Sequence, residues 1–335
     1  MRRIMALHPA LLPAADHYWS ALVRDDADAA YAVVRRVIDA GVHPADALAG
    51  IVVHAQQRIG LSWADNHWTV GQEHAATAIS EQTVARVDAT LPAPSPDRPP
   101  LLVTCADREF HCLAAQVVAV SMRSWGWPAE QLGPGTRRDV LLDRVREVRP
   151  AAVLVSASLS SSLPRVARQI RDITATGTPV IAGGAAFDEA GVRATRLGAS
   201  GYARSPYEAC VLLDRLPDVV IPQPAPFDVE ALRLDQLADD LARRVLDATE
   251  GVLGAGSEAL AHDHWRVVLA TFTPHLVAAV AGGVMTADPT VPIAARSWLA
   301  EVLRRRGAPD DVADVLWDRL RSELREFPAT LALLD

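Results

Sequence analysis

Apolar residues along the first ninety positions recur at helical spacing. Leu48, Val52, Ala55 and Ile59 form one stripe that runs up to Gly60. Upstream, Asp25 or Asp26 can cap a helix running to Ala40 with Gly41 as its terminator, and Pro44 stands where a first helical turn tolerates proline. Thr69 followed by Gln72 has the form of a capping box and opens a last helix that continues to about Ala89. Together these signals predict a four-helix bundle over residues 1–90. From 101 to 217 short apolar runs alternate with helical patterns, which predicts a doubly wound α/β domain with a parallel, Rossmann-like sheet. Leu101–Cys105, Ala152–Ser156 and Pro179–Ala182 are the clearest strands; helices fit at about Leu113–Trp125, Arg137–Val148, Pro164–Ala175 and Pro206–Leu216. Residues 228–335 show no strand alternation and predict an all-helical third domain. Its helices fit at about Val229–Thr249, Ser257–Phe272, Pro274–Met285, Pro292–Arg306 and Pro309–Glu326. Residues 91–100 and 218–227 are proline-rich and read as linkers.

The chain has 335 residues, half of them hydrophobic, and a formal net charge of −8. That is enough for two or three domains with substantial cores, and the acidic balance without a Lys/Arg stripe argues against direct nucleic-acid binding. Three cysteines, Cys105, Cys112 and Cys210, are too few and too odd a set for a disulfide framework. A reducing compartment, the cytoplasm, is the expectation. The stretch Met1–Ala15 lacks the form of a secretory leader, and the late apolar run His275–Met285 is too short to span a membrane.

In a parallel sheet covered by helices, ligands bind beyond the carboxyl ends of the strands. The loop after Cys105 reads Asp107, Arg108, Glu109, Phe110, His111, Cys112, placing an imidazole in that crevice with a carboxylate two residues before it. A metal-ligating histidine usually gives its second ring N–H to a carboxylate or carbonyl, and Glu109 is the candidate for that role. Ser156 and Ser158 bring hydroxyls to the end of a second strand, and Gly183 with Gly184 leave the backbone open at the end of a third. Ordinary turn chemistry explains any one of these features; it does not explain all three at successive strand ends.

With these residues the segment resembles the cobalamin-binding domain of methionine synthase, the mutases and the light-dependent cobalamin regulators. Glu109, His111 and Ala114 stand in the family's first motif, Ser156 and Ser158 in its second at the family's spacing, and Gly183 with Gly184 in its last. Two positions depart from the pattern: Ala114 replaces a glycine, and Ser158 stands where leucine is usual. The resemblance implies that His111 is the lower axial cobalt ligand. The cofactor's own base, displaced, would lie in a slot near Ser156, Ser158 and Gly183.

The helical segment narrows the resemblance. Trp63, with Glu73 and His74 further on, is similar to the cap of the light-dependent cobalamin repressors. That likeness implies that Trp63 packs over an adenosyl group, Glu73 contacts its ribose, and His74 ligates cobalt once light has removed that group. The residue types suit the roles, since an indole offers a flat apolar face, a carboxylate accepts hydroxyl hydrogen bonds, and imidazole is a natural cobalt donor. Each is also an ordinary bundle or first-turn residue when taken alone.

In those repressors a DNA-binding helix-turn-helix precedes the bundle, whereas here the bundle pattern starts close to Met1. The implied output is therefore a homo-oligomer or a separate output protein. A cobalamin domain followed by a helical domain resembles the photocobilins, which use cobalamin and biliverdin. His262, His264, Arg266, His275 and Arg296 are candidate tetrapyrrole contacts, because arginine and histidine pair with propionates. No cysteine lies beyond Cys210, so any biliverdin there is held non-covalently. A globin-like haem domain or a plain docking module are alternatives. Thr273-Pro274 predicts a helix start that separates His264 from His275. The expectation for the whole chain is a sensory, non-enzymatic binding protein in which photolysis of adenosylcobalamin changes cobalt ligation and packing. The alternative is a corrinoid carrier for methyl transfer, and the bland one a cobalamin-free interaction protein.

Overall fold

The structure, a computed structural model, describes residues 9–221, 229–253 and 264–334. It is an α/β protein with all-helical parts at both ends, as the apolar pattern implies, and it divides into two compact units. Among the described residues the first comprises 9–156, 172–184 and 200–221; the second comprises 157–171, 185–199, 229–253 and 264–334.

In the first unit the bundle consists of α1 (Leu12–Val23), α2 (Ala27–Asp39), a long third rod and α5 (Val70–Asp88). The caps are those expected: the Asp26 side chain accepts from the Ala29 N–H, and Thr69 and Gln72 exchange both capping-box bonds. The third rod differs from expectation. It runs as α3 (Pro44–Ala47), a π-helical stretch (Leu48–Val53) and α4 (His54–Ala64), so it passes Gly60 instead of stopping there. A mid-helix glycine costs only about 1 kcal/mol relative to alanine, which the buried Leu48, Ile51, Val52 and Ile59 outweigh. The extra turn carries Trp63.

The sheet has five parallel strands in the order β2-β1-β3-β4-β5: β1 (Leu101–Cys105), β2 (Ala129–Gln131), β3 (Ala152–Ser156), β4 (Val180–Gly183) and β5 (Gly201–Ala203). The edge strands β2 and β5 are three residues each. Runs that short carry no legible period. The central strands β1 and β3 are buried throughout, as a parallel sheet covered on both faces requires. Between the strands lie α6 (Leu113–Ser124), α7 (Arg138–Val148), α8 (Leu163–Thr174), α9 (Val192–Arg196) and, after β5, α10 (Pro206–Leu213).

Helix α6 joins bundle to sheet because it is apolar on two faces. Ala115, Ala119 and Met122 pack with Leu101, Val103 and Leu154 of the sheet, while Leu113, Val117 and Val120 enter the bundle core with Tyr18, Ile51, Ile79 and Val84. Polar contacts fix the same seam: Arg123 forms a bidentate pair with Asp88 at 2.7 and 2.9 Å, and Gln116 donates to the Glu81 carbonyl at 3.2 Å.

The second unit contains the C-terminal helices α11 (Val229–Gln236), α12 (Ala238–Leu253), α13 (His264–Thr286), α14 (Thr290–Arg305), α15 (Val312–Glu323) and α16 (Pro328–Leu334). Two expectations are corrected here. The expected helix Val229–Thr249 is two helices, and Pro274 lies inside α13 rather than starting a helix. Burial of Leu269, Thr273, Leu276, Val277, Val280 and Ala281 keeps α13 continuous across the missing N–H. By length and composition α13 could cross a membrane, but 56% of its apolar window is buried inside the protein, as in a core helix.

A candidate corrinoid site at the strand ends

Strand order places a topological switch point between β1 and β3, where chain direction of growth reverses and a crevice opens at the carboxyl ends. The register lines those ends up in one row: Cys105 pairs with Ser156, Ser156 with Gly183, and Gly183 with Ala203. The sequence-expected residues Glu109, His111, Ser156, Gly183 and Gly184 therefore belong to segments that leave one edge of the sheet.

The loop after β1 is built to turn sharply. Ala106 N–H donates to the Ser156 carbonyl at 2.8 Å, Glu109 N–H to the Ala106 carbonyl at 2.9 Å, and Cys112 N–H to the Phe110 carbonyl at 2.9 Å. Arg108 adopts a left-handed conformation (φ +58°), uncommon for a residue other than glycine. The result sorts neighbours by environment. Glu109 is buried, only 3% exposed, whereas Phe110 and His111 face outward just before α6 begins. An outward imidazole at a switch point is a nitrogen donor without a protein metal site of its own, since among the described residues no group of three or more His, Cys, Asp or Glu is gathered.

Two thiols flank His111. Burial pushes the Cys105 thiol up to about 12, with nearby Cys112 and Glu109 adding to it. Burial, and then the Glu81 carboxylate that accepts from Cys112 at 3.3 Å, pushes the Cys112 thiol up to about 11. Both stay protonated at neutral pH, so neither offers a thiolate to compete with the imidazole.

Ser156 is buried at the end of β3, and Ser158 is half-buried and belongs to the second unit. Gly183 has a structural reason of its own, because a Cβ there would stand 2.6 Å from the Ala203 carbonyl oxygen. Gly184 is left-handed (φ +106°) and exposed.

The expected cap residues lie at the facing ends of two consecutive helices, α4 and α5. Trp63, half-buried, lies in the last turn of α4. Glu73 lies in the first turn of α5, its side chain 21% exposed against 73% for the neighbouring His74, with Oε2 3.4 Å from His74 Nε2. Along α5, Glu73 is about 12 Å from Glu81 at the usual helical rise, and Glu81 touches the residue next to His111.

The expected tetrapyrrole contacts of the third domain do not form one set. His264 is exposed at the start of α13, while His275 is half-buried with Nδ1 2.9 Å from the Ser161 hydroxyl. Arg296 pairs with Asp314 at 2.8 Å and lies over the Trp317 ring, and Arg266 lies over Trp265. His262 lies outside the described residues. Arg193 has no signal in the local sequence, because its partners Asp288 and Thr290 are about a hundred positions away.

Comparison with known families gives a direct result. Residues 99–211 match a family described as B12 binding domain, and residues 14–87 match a second family with the same description. Each match covers less than half of the chain. The first match contains Glu109, His111, Ser156, Ser158, Gly183 and Gly184; the second contains Trp63, Glu73 and His74. Similar solved structures include the monomethylamine corrinoid protein of Methanosarcina barkeri, at 15% identity over 62% of this chain and 100% of that one, with a TM-score of 0.49. A cobalamin-binding protein from Desulfitobacterium hafniense DCB-2 is 19% identical over 60% of this chain and 97% of that one, with a TM-score of 0.33. The methanol:cobalamin methyltransferase complex of Methanosarcina barkeri is 15% identical over 62% and 82%, with a TM-score of 0.32. No curated protein matches the chain.

Proposed function

We propose that the B12 binding domains hold a corrinoid with His111 as the lower axial ligand, and that the bundle corner makes the chain a light sensor using adenosylcobalamin. The residues fit such a group: an exposed imidazole at the switch point, hydroxyl and glycine positions at the neighbouring strand ends, and no thiolate beside it. What supports the finer reading is that Trp63 ends α4 while Glu73 and His74 begin α5, the helix whose Glu81 touches Cys112. When bound, adenosylcobalamin supplies a cobalt–carbon bond that light breaks. The chain's own residues would hold it: His111 would offer a nitrogen, Trp63 an apolar indole face for the adenosyl group, and Glu73 a carboxylate that accepts hydroxyl hydrogen bonds. His74, whose side chain is 73% exposed, would be the second imidazole able to offer cobalt a nitrogen. The seam between α5 and α6 is the element that two ligand states would bias differently. For the expected biliverdin, or a haem, among the described residues His264 is exposed, whereas His275 lies against Ser161 and Arg296 pairs with Asp314.

A second reading, a corrinoid carrier for methyl transfer, fits the comparisons better than light sensing. Both matched families call for corrinoid binding, which a carrier uses in full, and neither calls for an adenosyl group or a photochemical step.

The two readings part under illumination. The protein is loaded with adenosylcobalamin in the dark, and absorbance and elution volume on a sizing column are recorded before and after green light. Sensing expects a changed axial-ligation spectrum with the corrinoid retained, a changed elution volume, and loss of the normal ligation spectrum in His111→Ala. An unchanged elution volume together with dark methyl transfer from methylcobalamin to an added thiol, giving the methyl thioether and cob(I)alamin, overturns sensing in favour of the carrier.

A further inference from the structure

His111 stands at the centre of a three-residue turn. The Cys112 N–H donates to the Phe110 carbonyl at 2.9 Å, a hydrogen bond that encloses His111 alone, and His111 keeps its φ out of the left-handed region. The direction in which the imidazole leaves the chain therefore follows from where the two outer residues are held.

Each outer residue is fastened to a different element of the first unit. Phe110 is 74% exposed, yet the far edge of its ring rests on the β2–α7 loop: a Cβ on Gly135 would stand 3.3 Å from Phe110 Cε1 and 3.5 Å from Cζ. Gly135 is left-handed (φ +64°), so the loop offers a bare Cα where the ring lands. A ring so exposed adds little to the core; what it does is span two loops. On the other side, the Cys112 thiol donates to the Glu81 carboxylate of α5 at 3.3 Å. Glu81 is itself held against α6, because its backbone carbonyl accepts from Gln116 at 3.2 Å. The His111 carbonyl completes the set, accepting from the Cys105 thiol at the end of β1 at 3.9 Å.

We propose that Phe110 and Glu81 are positioning residues for the His111 imidazole: one braces the turn from the β2–α7 loop, the other, through Cys112, from α5. The bundle thereby takes part in setting the lower axial ligation of cobalt. The inference rests on the corrinoid reading above and adds to it the two side chains on which the placement of the ligand depends. Its physical basis is preorganisation. An imidazole held near one orientation ligates more completely than one spread over several, in proportion to the population of the competent one.

The test uses the full chain, grown with nitrogen-15 histidine and loaded with cob(II)alamin, whose unpaired electron couples to the lower axial nitrogen. The multiplicity of that splitting separates labelled protein histidine from the cofactor's own unlabelled base and from unligated cobalt, so electron paramagnetic resonance reads the ligated share. The wild type is expected to show the labelled splitting and His111→Ala to lose it. In Phe110→Ala, Gly135→Ala and Glu81→Ala the ratio of histidine-ligated to other cobalt is expected to fall roughly tenfold. Phe110→Met, which keeps an apolar chain of similar reach, and Glu81→Gln, which keeps an acceptor for the Cys112 thiol, recover most of the loss. Phe110→Ala and Gly135→Ala break the same contact, so the double variant loses no more than either alone. If Glu81→Ala does not fold, Cys112→Ala breaks that contact from its other end. An unchanged ligated share in both Phe110→Ala and Glu81→Ala overturns the proposal while leaving His111 as the ligand. So does a loss that the methionine and glutamine variants fail to recover, which marks a merely structural role. A wild type that binds cob(II)alamin without the labelled splitting overturns the ligand reading and the proposal with it, and one that binds no cob(II)alamin overturns the corrinoid reading as a whole.

Discussion

Cys112 stands between His111 and the first residue of α6, and its thiol donates to Glu81 at 3.3 Å. Burial and that carboxylate together raise it to about 11. A raised thiol stabilises the folded state while protonated. The contribution is therefore complete below the ordinary thiol range and is lost as pH climbs through about 11. Removing the charge acts in the opposite direction on reactivity. In Glu81→Gln, alkylation of Cys112 by iodoacetamide at pH 8.5 is expected to run several-fold faster, because the thiolate fraction grows as the pKa falls. Cys105, held at about 12 by burial, stays slow in both proteins; a pH–rate profile of peptide-mapped alkylation reads both sites. At this scale the sequence was informative wherever the chemistry is local. The loop that carries Glu109 and His111 follows a strand, as its apolar run implies, and the Thr69–Gln72 capping box formed both of its bonds. What the local sequence lacked was environment. Nothing in it says that Glu109 is buried while Phe110 and His111 face out, because that sorting comes from a left-handed Arg108 and from the carbonyl of Ser156, a partner on another strand.

Helix α13 shows how packing overrules an element's own grammar. Pro274 marks a helix start in sequence, yet buried side chains before and after it hold one helix of 23 residues. Close approach explains its glycines. A Cβ on Gly283 would meet Pro292 Cδ at 2.7 Å and the Asp288 carbonyl oxygen at 3.2 Å, whereas a Cβ on Gly60 in α4 meets nothing within 4 Å. The two substitutions are therefore expected to differ in sign. Gly283→Ala should lower stability by about 1–3 kcal/mol through overpacking, and Gly60→Ala should raise it by about 0.5–1 kcal/mol through helix propensity. Urea unfolding midpoints at constant slope measure both. The short strands β2 and β5 went unseen for a related reason. Three residues cannot show a period, and their strand conformation comes from pairing with β1 and β4 rather than from their own side chains.

On the scale of the whole molecule, binding and folding are linked. A corrinoid that binds only the folded protein stabilises it by about 2.7 kcal/mol at one hundred times its dissociation constant. Hydroxocobalamin is accordingly expected to raise the melting temperature of the wild type in a concentration-dependent way, and His111→Ala should lose most of that rise. A melting temperature that ignores hydroxocobalamin at every concentration would count against the corrinoid site itself. The amino-acid sequence by itself determined the class of the fold, the helical bundle, the two central strands and the short motifs whose chemistry is carried by neighbours in the chain. It could do so because helical and strand periods, caps and strand-end loops are properties of consecutive residues. Only the tertiary structure decided that β1 and β3 adjoin at the switch point, that α6 serves both bundle and sheet, and that the segments after β3 and β4 belong with α13 and α14. Those are pairings between positions far apart in the chain, fixed by register, close packing and the burial of charge, and they become defined only when the chain is folded.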